Sequence, residues 1–163
     1  MPPITALLHT TNAGLRLGRA LETLLPCAEI LIVDQHSADS TLRVARSYGA
    51  RMVLCDAHAR PAANYYLEHA RHDWILCLDP SESITEGLQA TLFEWSSRPA
   101  DTIAGKSSFS VFVRDQTSEE WRISSKPETR LVPRSWTQWS GFLPADDRSS
   151  IPLEGELLRL AYP

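Results

Sequence analysis

Two segments of this 163-residue chain end apolar runs on an aspartate: Ile30-Leu31-Ile32-Val33-Asp34 and Trp74-Ile75-Leu76-Cys77-Leu78-Asp79. A continuous apolar run reads as a strand covered on both faces. An acid at the carboxyl end of a parallel strand faces the crevice where α/β sheets bind ligands. Such a carboxylate accepts hydrogen bonds from N–H and O–H donors, which a nucleotide's base and ribose both offer. Set side by side, the strand ends gather His9, Asp34, His36, Cys55, Asp56, His58, Asp79 and Glu82 along one edge. The histidines share no metal-ligand spacing, which weakens a hydrolytic metal site as a reading. The loop from Thr10 to Gly18 lacks G-x-G-x-x-G, the feature a nicotinamide cofactor's pyrophosphate needs.

The elements that must position these groups are readable from periodicity. Ile4 to Leu8, Ile30 to Val33, Met52 to Cys55 and Trp74 to Leu78 read as strands. Leu17, Leu21, Leu24 and Leu25 mark a first helix that Pro26 stops. Asp39 or Ser40 can cap a second helix, with Leu42, Ala45 and Tyr48 inward and Gly49 closing it. Ala63, Tyr66, Leu67 and Ala70 mark a third helix, and Ile84, Leu88, Leu92 and Trp95 a fourth. Strand–helix alternation repeated four times implies an α/β, Rossmann-like fold: a mostly parallel sheet flanked by helices.

After Arg98-Pro99 the pattern changes. Phe109 to Val113, Thr129 to Val132 and Leu157 to Ala161 read as strands separated by serine, proline and tryptophan. The reading is one domain over residues 1–163, with a nucleotide-binding βα half (1–98) and a smaller β-rich half (99–163). A net charge of -4 argues against a nonspecific nucleic-acid binder. Three cysteines without a C-x-x-C give no zinc or redox motif and suit reduced, cytoplasmic thiols. No window approaches the ~18 apolar residues of a transmembrane segment.

Four segments, in this order and spacing, resemble the family 2 glycosyltransferases: His9-Thr10-Thr11-Asn12, the stretch Val33 to Thr41, Asn64 within Ala62 to Ala70, and Asp73 to Glu82. The likeness covers residues 4 to about 95 and is nearest to enzymes that add sugars to bacterial surface glycolipids. It implies the GT-A nucleotide-diphospho-sugar transferase fold, a UDP-sugar donor and a glycan or glycolipid acceptor. It also implies a cytoplasmic protein, able to work at the inner face of the membrane. Thr10, Thr11 and Asn12 would border the base, and Asp34 would bind base or ribose. Asp39 would orient the loop or cap its helix, and His36 and Asn64 would complete the substrate-binding set. Asp79 matches the first acid of the family's Asp-x-Asp motif.

The chain departs from that pattern at the chemistry. Ser81 stands where the last acid would hold Mg²⁺ or Mn²⁺, and a neutral hydroxyl is a poor ligand for a hard dication. Glu82 is the remaining metal candidate, and Pro80 stiffens its loop. Trp139 to Pro144 resembles the stretch where a His-Glu pair is expected, and neither residue is present. Asp146 and Asp147 are the substitute catalytic bases. Two readings follow: transfer with displaced catalytic groups, or a degenerate relative that binds the nucleotide sugar without transferring it.

Overall fold

The computed structural model describes residues 2–55, 67–99, 103 and 108–162. Four parallel strands form its first half: β1 (Ile4–Thr10), β2 (Glu29–Asp34), β3 (Arg51–Leu54) and β4 (Trp74–Leu78), in the spatial order β3-β2-β1-β4. All four lie where periodicity places them.

Beyond β4 the sheet is mixed rather than mostly parallel. It continues through β8 (Glu128–Pro133), β6 (Phe109–Gln116), β11 (Ile151–Arg159) and β5 (Glu82–Ile84), while β7 (Trp121–Ile123) pairs with β6. The β4–β8, β8–β6, β6–β7 and β11–β5 contacts are antiparallel, and β6–β11 is parallel. The β-rich half therefore completes the same nine-stranded sheet; only β9 (Trp139–Ser140) and β10 (Leu143–Pro144) form a separate pair.

Strand alternation explains why both faces are buried. Ile4, Ala6, Leu8, Ile32, Leu76 and Leu78 enter one core, with α1 (Gly14–Glu22) and α3 (Glu86–Ser97) contributing Leu17, Leu21, Leu88, Leu92 and Trp95. Trp74, Trp95 and Phe109 meet edge to face there, with centroids 5.1 to 5.8 Å apart. Leu7, Leu31, Val33, Ile75, Cys77 and Val132 enter the other core. Burial there pushes the Cys77 thiol up to about 12, so this cysteine stays protonated and inert. Cys27 is a half-buried free thiol, and Cys55 and Cys77 are buried.

Several local expectations are corrected. Leu25 is exposed because α1 ends at Glu22, and Tyr48 lies outside the inner face of α2 (Thr41–Ser47), which buries Thr41 and Ala45. Ile84 belongs to β5: Thr85 ends that strand and caps α3, its hydroxyl accepting from the Leu88 N–H at 3.3 Å. The final strand runs Ile151–Arg159 rather than to Ala161, bulging between Pro152 and Glu156. Gly155 sits in that bulge at φ +99°. The third helix expected around Ala63 and Tyr66 lies mostly outside the described residues. No helix among the described residues is long and apolar enough to cross a membrane.

Candidate functional site

The carboxyl ends of β1, β2 and β4 converge because their registers match: Thr10 faces Asp34, and Leu8 faces Leu78. The loops beyond them enclose a cavity of about 500 Å³. The end of β1 and the first turn of α1 contribute His9, Thr11, Asn12, Ala13 and Arg16, and the loop after β2 contributes Gln35. Asp79, Pro80 and Ser81 follow β4, and Phe142 comes from the β9–β10 turn.

The loops after β1 and β2 are interlocked. The Asn12 N–H donates to Ser37 Oγ at 2.9 Å, and the Ala38 N–H donates to Asn12 Oδ1 at 2.8 Å. Asn12 and His36 both adopt positive φ, 48° and 51°, a conformation in which Asn and His are enriched among non-glycine residues. The Ala13 N–H donates to Thr41 Oγ1, and the Gly14 N–H to Asp39 Oδ2, each at 2.9 Å. Asp39 therefore ties the start of α1 to the start of α2. The Thr41 hydroxyl, then the N–H groups of Gly14 and Thr41, hold the Asp39 carboxyl below the usual carboxylate range.

Of the residues singled out from sequence, His9, Thr11, Asn12 and Asp79 line the cavity. Asp34 does not. It is fully buried, and its carboxylate accepts from Thr10 Oγ1 (2.6 Å), Ser37 Oγ (2.6 Å) and the Ser37 N–H (2.9 Å). Thr10 and Asp34 thus brace the floor, and Gln35 takes the lining position beside them. His36 is exposed on the adjoining loop, and Asn64 lies outside the described residues.

The candidate metal ligand and bases sit elsewhere. Glu82 is fully buried and meets Arg130 in a two-pronged ion pair, Oε1 to Nη1 at 2.7 Å and Oε2 to Nη2 at 2.8 Å. Glu82 Oε1 also accepts the Asp79 N–H at 2.7 Å. Arg130 Nη2 reaches Glu128 at 2.5 Å, and Arg159 adds contacts to Glu82, Glu128 and Asp115 at 3.1 to 3.3 Å. Burial opposes the charge on Arg130, yet Glu82 and Glu128 outweigh it and raise its pKa. Burial also works against the Glu128 carboxylate, and Arg130 and Arg159 prevail, lowering its pKa. Asp146 lines a different, smaller cavity with Glu128 and Arg130, and its Oδ1 accepts the Thr129 N–H at 3.2 Å. Asp147 accepts from Ser108 Oγ and from Ser149.

Asp79 is the one carboxylate lining the main cavity among the described residues. Its Oδ1 accepts both the Ser81 N–H (2.9 Å) and the Ser81 hydroxyl (2.6 Å), closing a tight turn. No cluster of three or more His, Cys, Asp or Glu among the described residues could hold a metal ion. The residues present do not fit a hard dication: Ser81, two positions beyond Asp79, is a neutral hydroxyl, and Glu82 is neutralised by the Arg130 and Arg159 guanidinium groups.

Sequence reading missed Arg16, Gln35 and Arg130. Arg16 carried a signal, because the first turn of α1 holds an arginine and no acid, against the preference of the helix dipole. Arg130 carried none, since its partner Glu82 is 48 residues away. Trp136 and Trp139 pack against the second core and bond locally, Nε1 to the carbonyls of Gln138 and Trp136.

The model of glycosyl transferase family 2 matches residues 5–145. The chain belongs to that family. An uncharacterized glycosyltransferase of Rickettsia bellii is 31% identical over 93 residues, 53% of this chain and 30% of the relative. A second, from Rickettsia felis, is 29% identical over 91 residues, 55% of this chain and 32% of the relative. The alignments thus span about a third of the length of these curated relatives. The structure of S. aureus TarS 1-349 superposes with a TM-score of 0.56 at 16% identity, covering 82% of this chain and 47% of that one. The fold shared with this neighbour is GT-A.

Proposed function

We propose that this family 2 domain binds a nucleoside-diphosphate sugar, a UDP-sugar in the first instance, in the cavity at the ends of β1 and β4. The observation that carries this reading is that Thr11, Asn12 and Asp79 line one 500 Å³ space, at the sheet edge where such folds bind ligands. Thr11 and Asn12 would border the base, and Asp79 would take the ribose hydroxyls. Thr10, Asp34 and Asp39 serve the site from behind by fixing its loops.

Family membership points to transfer of the sugar to a glycan or glycolipid acceptor. The side chains favour recognition over turnover. A metal that neutralises a leaving diphosphate contributes several kcal/mol, and each ~1.4 kcal/mol is tenfold in rate. Asp146 and Asp147 lie outside the cavity lining, so neither is placed to activate an acceptor there. The domain is therefore read as a nucleotide-sugar binder with slow or absent transfer.

The test is titration of the purified chain with UDP, UDP-glucose and GDP by thermal shift and calorimetry, alongside an assay for sugar release. The expected result is binding of one nucleotide, lost in Asp79→Ala, with negligible release. Release abolished by Asp79→Ala would establish the active reading instead. Absence of binding by any nucleotide would refute both.

A further inference from the structure

We propose that Arg16 supplies the fixed positive charge that meets the diphosphate in this cavity, so that nucleotide binding is independent of a divalent cation. This rests on the nucleotide-sugar reading and identifies which group answers the ligand's charge.

Three observations carry it. Among the described residues, Arg16 is the one lysine or arginine lining the cavity, which it shares with Asp79 and Ser81. At the amino end of α1, the cap and first helical N–H groups are already engaged: Ala13 donates to Thr41 and Gly14 to Asp39. His9, the remaining basic group in the lining, is held neutral, burial lowering its pKa to about 4. Among the described residues, the cation that an anion entering this space meets is therefore Arg16.

The position is also electrostatically costly without a ligand. Arg16 stands in the first turn of α1, where the helix dipole disfavours a cation and where the turn itself carries no acid. What holds it is the carbonyl of Ala161, which accepts from Nη2 at 3.4 Å. The same segment is anchored beside the cavity: the Leu160 N–H donates to the Ser81 carbonyl at 2.9 Å, and the Ala161 N–H to Gln116 Oε1 at 3.2 Å. Leu160 and Ala161 thus brace the Ser81 turn and Arg16 respectively. A planar guanidinium matches phosphate oxygens with two parallel N–H donors, and it needs no second carboxylate, which the described lining lacks.

Arg19, one turn further along α1, makes an equivalent bond to the Tyr162 carbonyl at 2.8 Å without lining the cavity. It separates a charge effect from loss of the brace. The experiment measures UDP and uridine binding by ligand-observed NMR and calorimetry, with Mn²⁺ and with EDTA. The proteins are wild type, Arg16→Gln, Arg16→Lys and Arg19→Gln, each checked by circular dichroism.

The expected result is UDP affinity that changes less than about twofold with Mn²⁺. Arg16→Gln should lose about tenfold or more for UDP, near 1.4 kcal/mol, and nothing for uridine. Arg16→Lys should fall between, and Arg19→Gln should match wild type. UDP affinity unchanged in Arg16→Gln, equally reduced in Arg19→Gln, or raised tenfold by Mn²⁺ would overturn the proposal while leaving nucleotide binding intact. Failure of wild type to bind both UDP and uridine would overturn the nucleotide reading and this proposal together.

Discussion

Glu82 and Arg130 are the most consequential pair of residues away from the cavity itself. Side-chain exposure is 0% for Glu82 and 1% for Arg130, so each charge depends on the other for its solvation. Removing one member of such a pair strands a buried ion and costs about 3–5 kcal/mol. Arg130→Met should lower the unfolding free energy from urea denaturation by that amount, and the Arg130→Met/Glu82→Met double variant should recover part of it. Because Glu82 also accepts the Asp79 N–H, the single variant should weaken nucleotide binding even where the fold survives at low temperature.

His9 gives a second prediction at this scale. Its ring stacks on Phe142, with centroids 4.2 Å apart, and burial holds its native pKa near 4 against a reference of 6.5. Between those values the unfolded chain binds a proton that the native chain refuses. Its contribution to stability is therefore full above pH 6.5 and declines as pH falls toward 4. His9→Phe should flatten the decline of melting temperature in that window, measured by calorimetry in constant ionic strength. A slope equal to wild type would remove His9 from the account. The sequence placed His9, Asp34 and Asp79 at one edge correctly, since strand alternation dictates it. It could not tell a lining side chain from a bracing one, because Asp34 is enclosed by Thr10 and Ser37 through loop geometry rather than spacing.

At the scale of elements, the bulge in β11 couples the sheet to α3. An added Cβ at Gly155 would lie 2.4 Å from the Leu88 N and 2.6 Å from its Cα, and its φ of +99° is one that side chains rarely adopt. The Thr85 hydroxyl seals the same junction, donating to the Glu156 carbonyl at 2.8 Å while capping α3. Gly155→Ala should destabilise by well over ~1 kcal/mol, lowering Tm by at least about 2–4 °C for a domain of this size. An unchanged Tm would show that the bulge relaxes freely. The four parallel strands were legible because buried strands write continuous apolar runs. The bulge and β5 were not: three residues, Glu82 to Ile84, form a strand through pairing with β11 more than 70 residues away.

For the whole molecule, the sheet order rather than the chain order decides what folds together. The division at residue 98 matches the composition of the sequence but no break in the structure, since β4 pairs directly with β8. The buried charges of the second half, Arg130 and Glu128, also hold the Asp79–Glu82 turn of the first. Acid should therefore loosen both parts in one transition: Glu128, whose pKa is lowered in the fold, contributes stability that is lost as pH falls through its native value. A single cooperative unfolding step at pH 7 and at pH 5, by far-UV and near-UV circular dichroism together, is the expected outcome. Two separated transitions would show independent halves.

The β4–β8 pairing reaches further than stability. A polypeptide cut after residue 98 would present the β4 backbone, from Trp74 to Leu76, with its hydrogen-bonding groups unmet along one side. Bare edges of that kind recruit other strands indiscriminately. The severed piece is thus expected to precipitate when expressed by itself and to be rescued by supplying residues 99–163 in trans, which makes this junction a natural place to build a two-part complementation reporter.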